Sequence, residues 1–258
     1  MFQTQRYLEL LRVLVKRNLS VRYRGSIFGV FWSLLNPLIM TGLYTAIFGS
    51  IFAAEYDGSI FRYALAAFTG LIVVNFFAAT TTQSLVSVVA NGVLLNKIRL
   101  PVSVFPISVN VANLIQFLYG PLPLLVVTTL IISKSLINAV ALLLPLLALM
   151  LVSLGVSFFV SSLYVFFRDL PYFYELVVFV LWISSPVFYP SKIVPVQVKP
   201  LLALNPLSQI IESTRQIVLS GAPPDFGLIA GSLVGGLIIF GLGWSCFQVW
   251  RSQFMDLL

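Results

Sequence analysis

The sequence has no histidine and one cysteine, Cys246, which lies in an apolar run near the C-terminal end. Without histidine the commonest general base and metal ligand is missing. A single cysteine excludes an internal disulfide and a thiolate cluster, and no metal site is expected. No Gly-Lys dipeptide occurs, so a phosphate-binding Walker loop is excluded, and if ATP drives this protein another chain binds it. Charge is scarce too: 9% of the 258 residues are charged and only eight are acidic. A catalytic carboxylate pair is hard to build from so few acids, most of them in loops, which argues against a membrane-bound glycosyltransferase or hydrolase. An ion-coupled flippase needs a carboxylate inside the membrane, and only Glu175 is close to a span interior, near its inner end.

Apolar sequence fills the chain instead. It is 59% hydrophobic, with 22 Phe among its 14% aromatic residues, and its mean hydropathy is +1.03. No soluble domain of this length hides that much apolar surface, so the bilayer is part of the solvent. The net charge of +7 does not point to nucleic acid. Six of the 15 basic residues (Arg6, Arg12, Lys16, Arg17, Arg22, Arg24) precede the first apolar run, a placement that suits anionic lipid and a cytoplasmic N-terminus. A cleaved signal peptide is not expected, because that run is too long for a signal core and has no small-residue cleavage site beside it.

Six apolar runs are legible, at roughly 30–53, 61–89, 104–132, 137–167, 172–190 and 227–250. Each approaches or exceeds the ~20 residues a helix needs to cross hydrocarbon. An even number places both termini on one side. Ten basic residues then fall inside and five outside, so both ends are expected in the cytoplasm. The expected fold is an all-α membrane protein with six transmembrane helices, an N-terminal amphipathic interfacial helix, and short amphipathic or re-entrant helices between spans five and six. It forms a single domain, with an interfacial and gate segment over about 1–29, a bundle over about 30–250, and an outer gate segment over about 191–226.

Within this frame several stretches carry chemistry. Residues 6–19 place Leu8, Leu11, Val15 and Leu19 on one helical face and Glu9, Arg12 and Lys16 on another. From Arg22 to Pro37, R-Y-R-G-S-I-F-G-V-F-W-S-L-L-N-P, charged sequence gives way to the first span. Arg22 and Arg24 belong at headgroup depth, Gly25 and Gly29 loosen the backbone, Trp32 marks the interface, and Pro37 predicts a kink or break. Asn75 and Gln83 lie in span two, and Asn110, Asn113 and Gln116 share one face of span three, a face that should meet protein or water. Small residues, Ser153, Ser157 and Ser161 in span four and Gly231 and Gly235 in span six, suit close helix packing.

Asn91 to Pro101, with Asn96, Lys97, Ile98 and Arg99, is either an ordinary basic loop or a short helix presented to a soluble partner and ended by the proline. Arg168 and Asp169 mark a helix end at the cytoplasm. The S-P-V-F-Y-P stretch around Pro186 ends span five early. Asn205 and Pro206 then start an amphipathic helix that Gly221 can terminate, with Glu212 and Arg215 three apart on its polar side. This helix either caps the outer surface or dips back into the bilayer.

Together these motifs resemble the permease subunit of bacterial ATP-binding-cassette polysaccharide exporters of type 2, those for O-antigen, capsule and teichoic acid. The likeness rests on Arg22 to Pro37, L-N-K-I-R-L-P (Leu95 to Pro101), F-R-D-L (Phe167 to Leu170), S-P-V-F-Y-P (Ser185 to Pro190), and N-P-L followed by I-I-E-S-T-R. It implies two permease copies in the inner membrane, pairing with two copies of a separate cytoplasmic ATPase that binds ATP and magnesium, so that this chain holds no cofactor and is not itself catalytic. The implied cargo is a glycan on undecaprenyl diphosphate. The resemblance also implies ATPase coupling through Arg12, Lys16, Asn96, Lys97, Ile98 and Arg99. It implies a cytoplasmic gate around Arg22, Tyr23, Arg24, Phe28 and Trp32, which admits the lipid diphosphate, and a periplasmic gate of Pro186, Asn205, Pro206, Glu212 and Arg215. Sugars present apolar C–H faces, which makes Tyr44, Trp182 and Tyr189 candidates for lining the path. The competing expectations are a type-2 permease for a drug or small lipid and the ion-coupled flippase.

Overall fold

The computed structural model describes residues 2–97 and 100–254, which are mostly helical, with no strand among them. Twelve α-helices follow one another among the described residues: α1 Phe2–Tyr23, α2 Trp32–Phe52, α3 Ile60–Ser87, α4 Gly92–Lys97, α5 Val104–Tyr119, α6 Pro121–Ser133, α7 Leu136–Ala141, α8 Leu143–Phe166, α9 Leu170–Ser184, α10 Lys199–Leu204, α11 Pro206–Leu219 and α12 Phe226–Trp250. Four helical segments are long and apolar enough to cross a bilayer: Gly29–Tyr56, Ile60–Ser87, Leu136–Phe166 and Phe226–Gln253. Helices α5 and α6 form a fifth, broken passage bent by 43°. The break falls at Gly120, where a Cβ would stand 2.3 Å from Ser33 Oγ of α2, and Pro121 opens the next helix without losing a needed donor.

The fifth run gives a shorter helix than a span requires. At 1.5 Å per residue, α9 is about 22 Å long against a hydrocarbon core of about 30 Å. Its chain continues as non-helical backbone, Ser185 to Pro190, laid against α3. Tyr63 donates to the Phe188 carbonyl at 3.0 Å, and a Cβ on Gly70 would stand 3.0 Å from Val187 Cα. Gly70 lies about 15 Å along α3 from Ile60, so irregular backbone is held well inside the bundle and covered by protein.

The Glu212–Arg215 pairing expected on the polar side of α11 is not among the ion pairs of the described residues, although both side chains border one cavity. Arg215 is buried, 6% exposed, while Glu212 is half-buried. The helix packs among α3, α6, α8 and α12, which buries Arg215 and leaves Gln209, Glu212 and Gln216 as a half-buried polar stripe. Asn205 caps it as expected. Its Oδ1 accepts from Leu207 N at 3.0 Å, and its amide donates to Ser185 Oγ at 2.9 Å and Ser184 Oγ at 3.2 Å. Gly221 does not terminate it. The helix ends at Leu219, where Gln216 fixes the turn by donating to the Pro223 carbonyl and accepting from Asp225 N.

Two other expectations shift. Helix α2 runs through Pro37 without a break, because one missing donor near its first turns leaves the rest of the ladder intact. The chain bends before it, at Gly25 (φ +77°) and Gly29 (φ +49°). The glycines that draw helices together are not Gly231 and Gly235 but Gly155 and Gly243, where α8 and α12 cross. A Cβ on Gly155 would meet the Ile239 carbonyl at 2.5 Å, and nothing lies within 4 Å of one on Gly235. Ser153, Ser157 and Ser161 are fully buried in α8, as their spacing implies.

Candidate functional site

Helix α1 lies along α5, and its last turn carries Arg22 into the bundle. Asn18 donates to Ser108 Oγ at 3.2 Å, and one helical turn later Arg22 Nη1 donates to Asn113 Oδ1 at 3.0 Å and to Gln116 Oε1. Arg22 Nη2 donates to Gln83 Oε1 of α3, which also accepts from Asn113 Nδ2 at 3.3 Å. Asn113 and Gln116 lie about 14 and 18 Å along α5 from Val104 at 1.5 Å per residue, so the guanidinium is held more than two turns along that helix. No carboxylate faces it among the described residues. Three amide oxygens solvate the guanidinium without neutralising it. A cation held in an apolar helix bundle without a counter-ion is costly, and ionisable groups kept in membrane bundles despite that cost mark function.

This cluster forms one wall of a cavity of about 570 Å³. Tyr23 and Trp32 line it with Arg22, while Ser33, Asn36 and Asn75 add polar groups and Phe76 and Phe117 add edge-to-face aromatic surface, centroids 5.5 Å apart. Burial raises the Tyr23 hydroxyl above its ordinary pKa, and the neighbouring Arg22 charge pulls the other way. A chamber with one uncompensated cation, amides and flat apolar rings suits a ligand that joins an anion to polyhydroxylated or apolar surface.

The gate residues therefore separate. Arg22, Tyr23 and Trp32 come together at the cavity. Arg24 is exposed on the turn beyond α1, and Phe28 stands outside the cavity with its ring edge-on to Trp32 at 5.6 Å. Gln83, Asn113 and Gln116 complete the site. Their polar spacing in apolar helices was the signal for them, but nothing in the sequence pairs them with Arg22. The third amide on that face, Asn110, is a structural tie, donating to Ser84 Oγ at 3.3 Å and Ser157 Oγ at 3.0 Å.

Towards the opposite end, Phe188 joins two of the three path aromatics, stacking on Tyr44 at 3.7 Å and meeting Trp182 edge-on at 5.2 Å. From Tyr44 the rings continue up one face of α2 through Phe48 and Phe52 to Tyr63 and Tyr56, with neighbouring centroids about 6 Å apart. The i+4 repeat Tyr44, Phe48, Phe52, Tyr56 was a legible signal for this line. Tyr189 stands apart, donating to the Ser184 carbonyl at 3.1 Å and lining a different, apolar cavity. The aromatic line ends where Tyr56, Glu212 and Arg215 border a second cavity of about 460 Å³. There Arg215 Nε donates to the Ala66 carbonyl at 2.9 Å and Nη2 to the Val187 carbonyl at 2.6 Å, tying α11 and the Ser185–Pro190 segment to α3. Pro186 is buried within that segment, and Pro206 opens α11.

At the basic end, α4 is a six-residue helix, and Leu95 buries it in one apolar cluster with Leu14 of α1, Phe105 of α5 and Phe247 of α12. Arg17 reinforces the tie by donating to Asn91 Oδ1 at 3.0 Å. Ile98 and Arg99 lie outside the described residues, and of Asn96 and Lys97 only the backbone is described. Arg12 and Lys16 are exposed on α1. Arg168 and Asp169 sit exposed at the α8–α9 corner, with Arg168 over the Tyr164 ring at 5.7 Å.

Residues 9–219 match the family described as ABC-2 type transporter. Two proteins of Klebsiella pneumoniae, each called O-antigen export system permease protein RfbA, are 30% and 29% identical over 252 residues, covering 97% of this chain and 95% of each relative. A protein of the same name from Myxococcus xanthus is 28% identical over 254 residues, with the same coverage. The family match takes in the arginine cluster, the broken fifth passage and the buried α11 alike, and the chain belongs to the ABC-2 type transporter family.

Proposed function

We propose that this chain is the membrane permease of an ATP-driven exporter that moves an O-antigen-like polysaccharide, carried on a lipid diphosphate, out of the cytoplasm. The observation that carries this reading is Arg22, an uncompensated cation set on three side-chain amides in the wall of a 570 Å³ cavity. A diphosphate supplies the missing negative charge, and a guanidinium presents paired donors that match phosphate oxygens. The relatives' names support a glycan cargo, and the ring line from Trp182 to Tyr56 offers flat apolar surface for sugar C–H faces.

In this reading the basic end faces the cytoplasm of a bacterium and the membrane is the inner one. The chain itself lacks a nucleotide loop, so ATP and magnesium belong to a separate ATPase, two copies of which pair with two copies of this permease. The α1–α4 cluster around Leu14 and Leu95 is the coupling surface, because a push on α4 reaches α1 through one packed core and α1 ends in Arg22. Arg215 and Asn205 hold the far gate closed by fixing non-helical backbone against α3. Co-reconstitution of the permease with its co-purifying ATPase tests the whole reading. ATP-dependent transfer of an undecaprenyl-diphosphate glycan supports it, and transfer without nucleotide, or no nucleotide-binding partner at all, sinks it.

A further inference from the structure

The face of α1 that sequence periodicity marks as apolar is shared between core and groove. Leu14 makes the core contact with Tyr7, Leu10 and Leu11 beside it, and Val15 is 8% exposed. Leu11, Val15 and Leu19 also line, with Val111 and Ile115 of α5, a groove of about 450 Å³. Arg12 and Lys16 stand one turn apart on its rim, exposed, and no acidic residue lines the groove among the described residues. An apolar trough of this size is unfavourable to leave against water, and beside a bilayer it is open to an acyl chain. The two cations at its edge select the chemistry of that chain's headgroup.

We propose that the α1–α5 groove is a binding site for one anionic glycerophospholipid, its acyl chain lying between α1 and α5 and its phosphate held by Arg12 and Lys16. The charge argument decides the class. A zwitterionic lipid brings its own cation to a rim that already carries two, whereas an anionic phosphate with an uncharged headgroup meets both arginine and lysine donors unopposed. Long basic side chains reach outward from an apolar face to phosphate depth, which is the geometry here. The bound lipid braces α1 along α5, and the same helix delivers Arg22 to the cavity some two turns further on. Membrane composition thereby biases the position of the site's one cation. Nothing in this inference depends on the identity of the exported cargo.

The test is native mass spectrometry of the delipidated protein, with whatever subunit co-purifies, titrated with dioleoyl-phosphatidylglycerol or dioleoyl-phosphatidylcholine. One phosphatidylglycerol per permease is expected to be retained in preference to phosphatidylcholine by roughly thirtyfold, the bias two basic side chains give at a membrane surface. The double variant Arg12→Gln, Lys16→Gln should lose most of that preference. The variant Val111→Trp, which fills the groove and leaves both cations in place, should lose the tightly held lipid as well. Size-exclusion profiles and melting temperatures of both variants establish that they fold. Equal retention of the two lipids by the unmodified protein overturns the proposal. So does a Val111→Trp variant that keeps the preference, since the attraction then belongs to surface charge and not to the groove.

Discussion

The Arg215 guanidinium donates to the Val187 carbonyl at 2.6 Å, a bond between a buried cation on α11 and the non-helical stretch that follows α9. The second bond, to Ala66, fixes the same side chain to α3, so one residue holds three elements together. Replacing Arg215 by Met removes both bonds. Hydrogen exchange at the amides of Val187 to Tyr189 should speed up by about tenfold or more, the equivalent of 1.4 kcal/mol. Arg215→Lys should recover only part of the protection, because a single ammonium on a flexible stem does not reproduce a planar fork. Unchanged protection in both variants would show that the segment is held by packing alone.

The α8–α12 crossing has no room for a side chain at its centre. Gly243→Ala places a Cβ 1.9 Å from the Gly155 carbonyl, and Gly155→Ala places one 2.5 Å from the Ile239 carbonyl, both against backbone that cannot rotate away. Each should destabilise the protein by about 1–3 kcal/mol, read as a lower melting temperature in detergent. Gly235→Ala meets open space and should be neutral. The opposite ranking would move the tight crossing to Gly235.

Coupling to the ATPase is expected to run through α4. Charge reversal at Lys97 and Arg99 should abolish stimulation of ATP hydrolysis by the permease while leaving insertion intact. Leu95→Ala should lower it as well, since Leu95 is 3% exposed and its truncation costs on the order of 2–5 kcal/mol of local packing. Full stimulation in the reversed variant would reduce the loop to a connector.

Much of this architecture was legible because the bilayer imposes simple rules. Span positions fall within a few residues of five of the six apolar runs, and the Asn205 cap and the break at Gly120 follow from local chemistry. The misses have one cause. Periodicity tells which residues share a face, but not what that face meets. Arg215 sits on the polar side of an amphipathic pattern, yet it is buried because α11 is enclosed. Leu11 and Val15 share an apolar face that also lines a groove, while Leu14, off that face, makes the deepest core contact. Arg22 and Arg24 read alike as a basic pair, but Arg22 closes α1 facing α5 while Arg24 falls on the turn beyond the helix end. The partners of Arg22 lie 61 to 94 residues away in sequence, beyond any local signal.

That separation of Arg22 from Arg24 gives the most direct test of the central claim. The measurement is the initial rate of ATP-dependent glycan transfer in proteoliposomes containing the permease and its ATPase, for Arg22→Gln and Arg24→Gln side by side. Arg22→Gln removes the charge facing the cavity and should cut the rate by at least about tenfold, the loss of one charge-assisted contact, with insertion and complex assembly unchanged. Arg24→Gln should stay within about twofold of the unmodified protein, as exposed surface substitutions do. Normal transfer by Arg22→Gln would contradict the account and leave the arginine as an anchor.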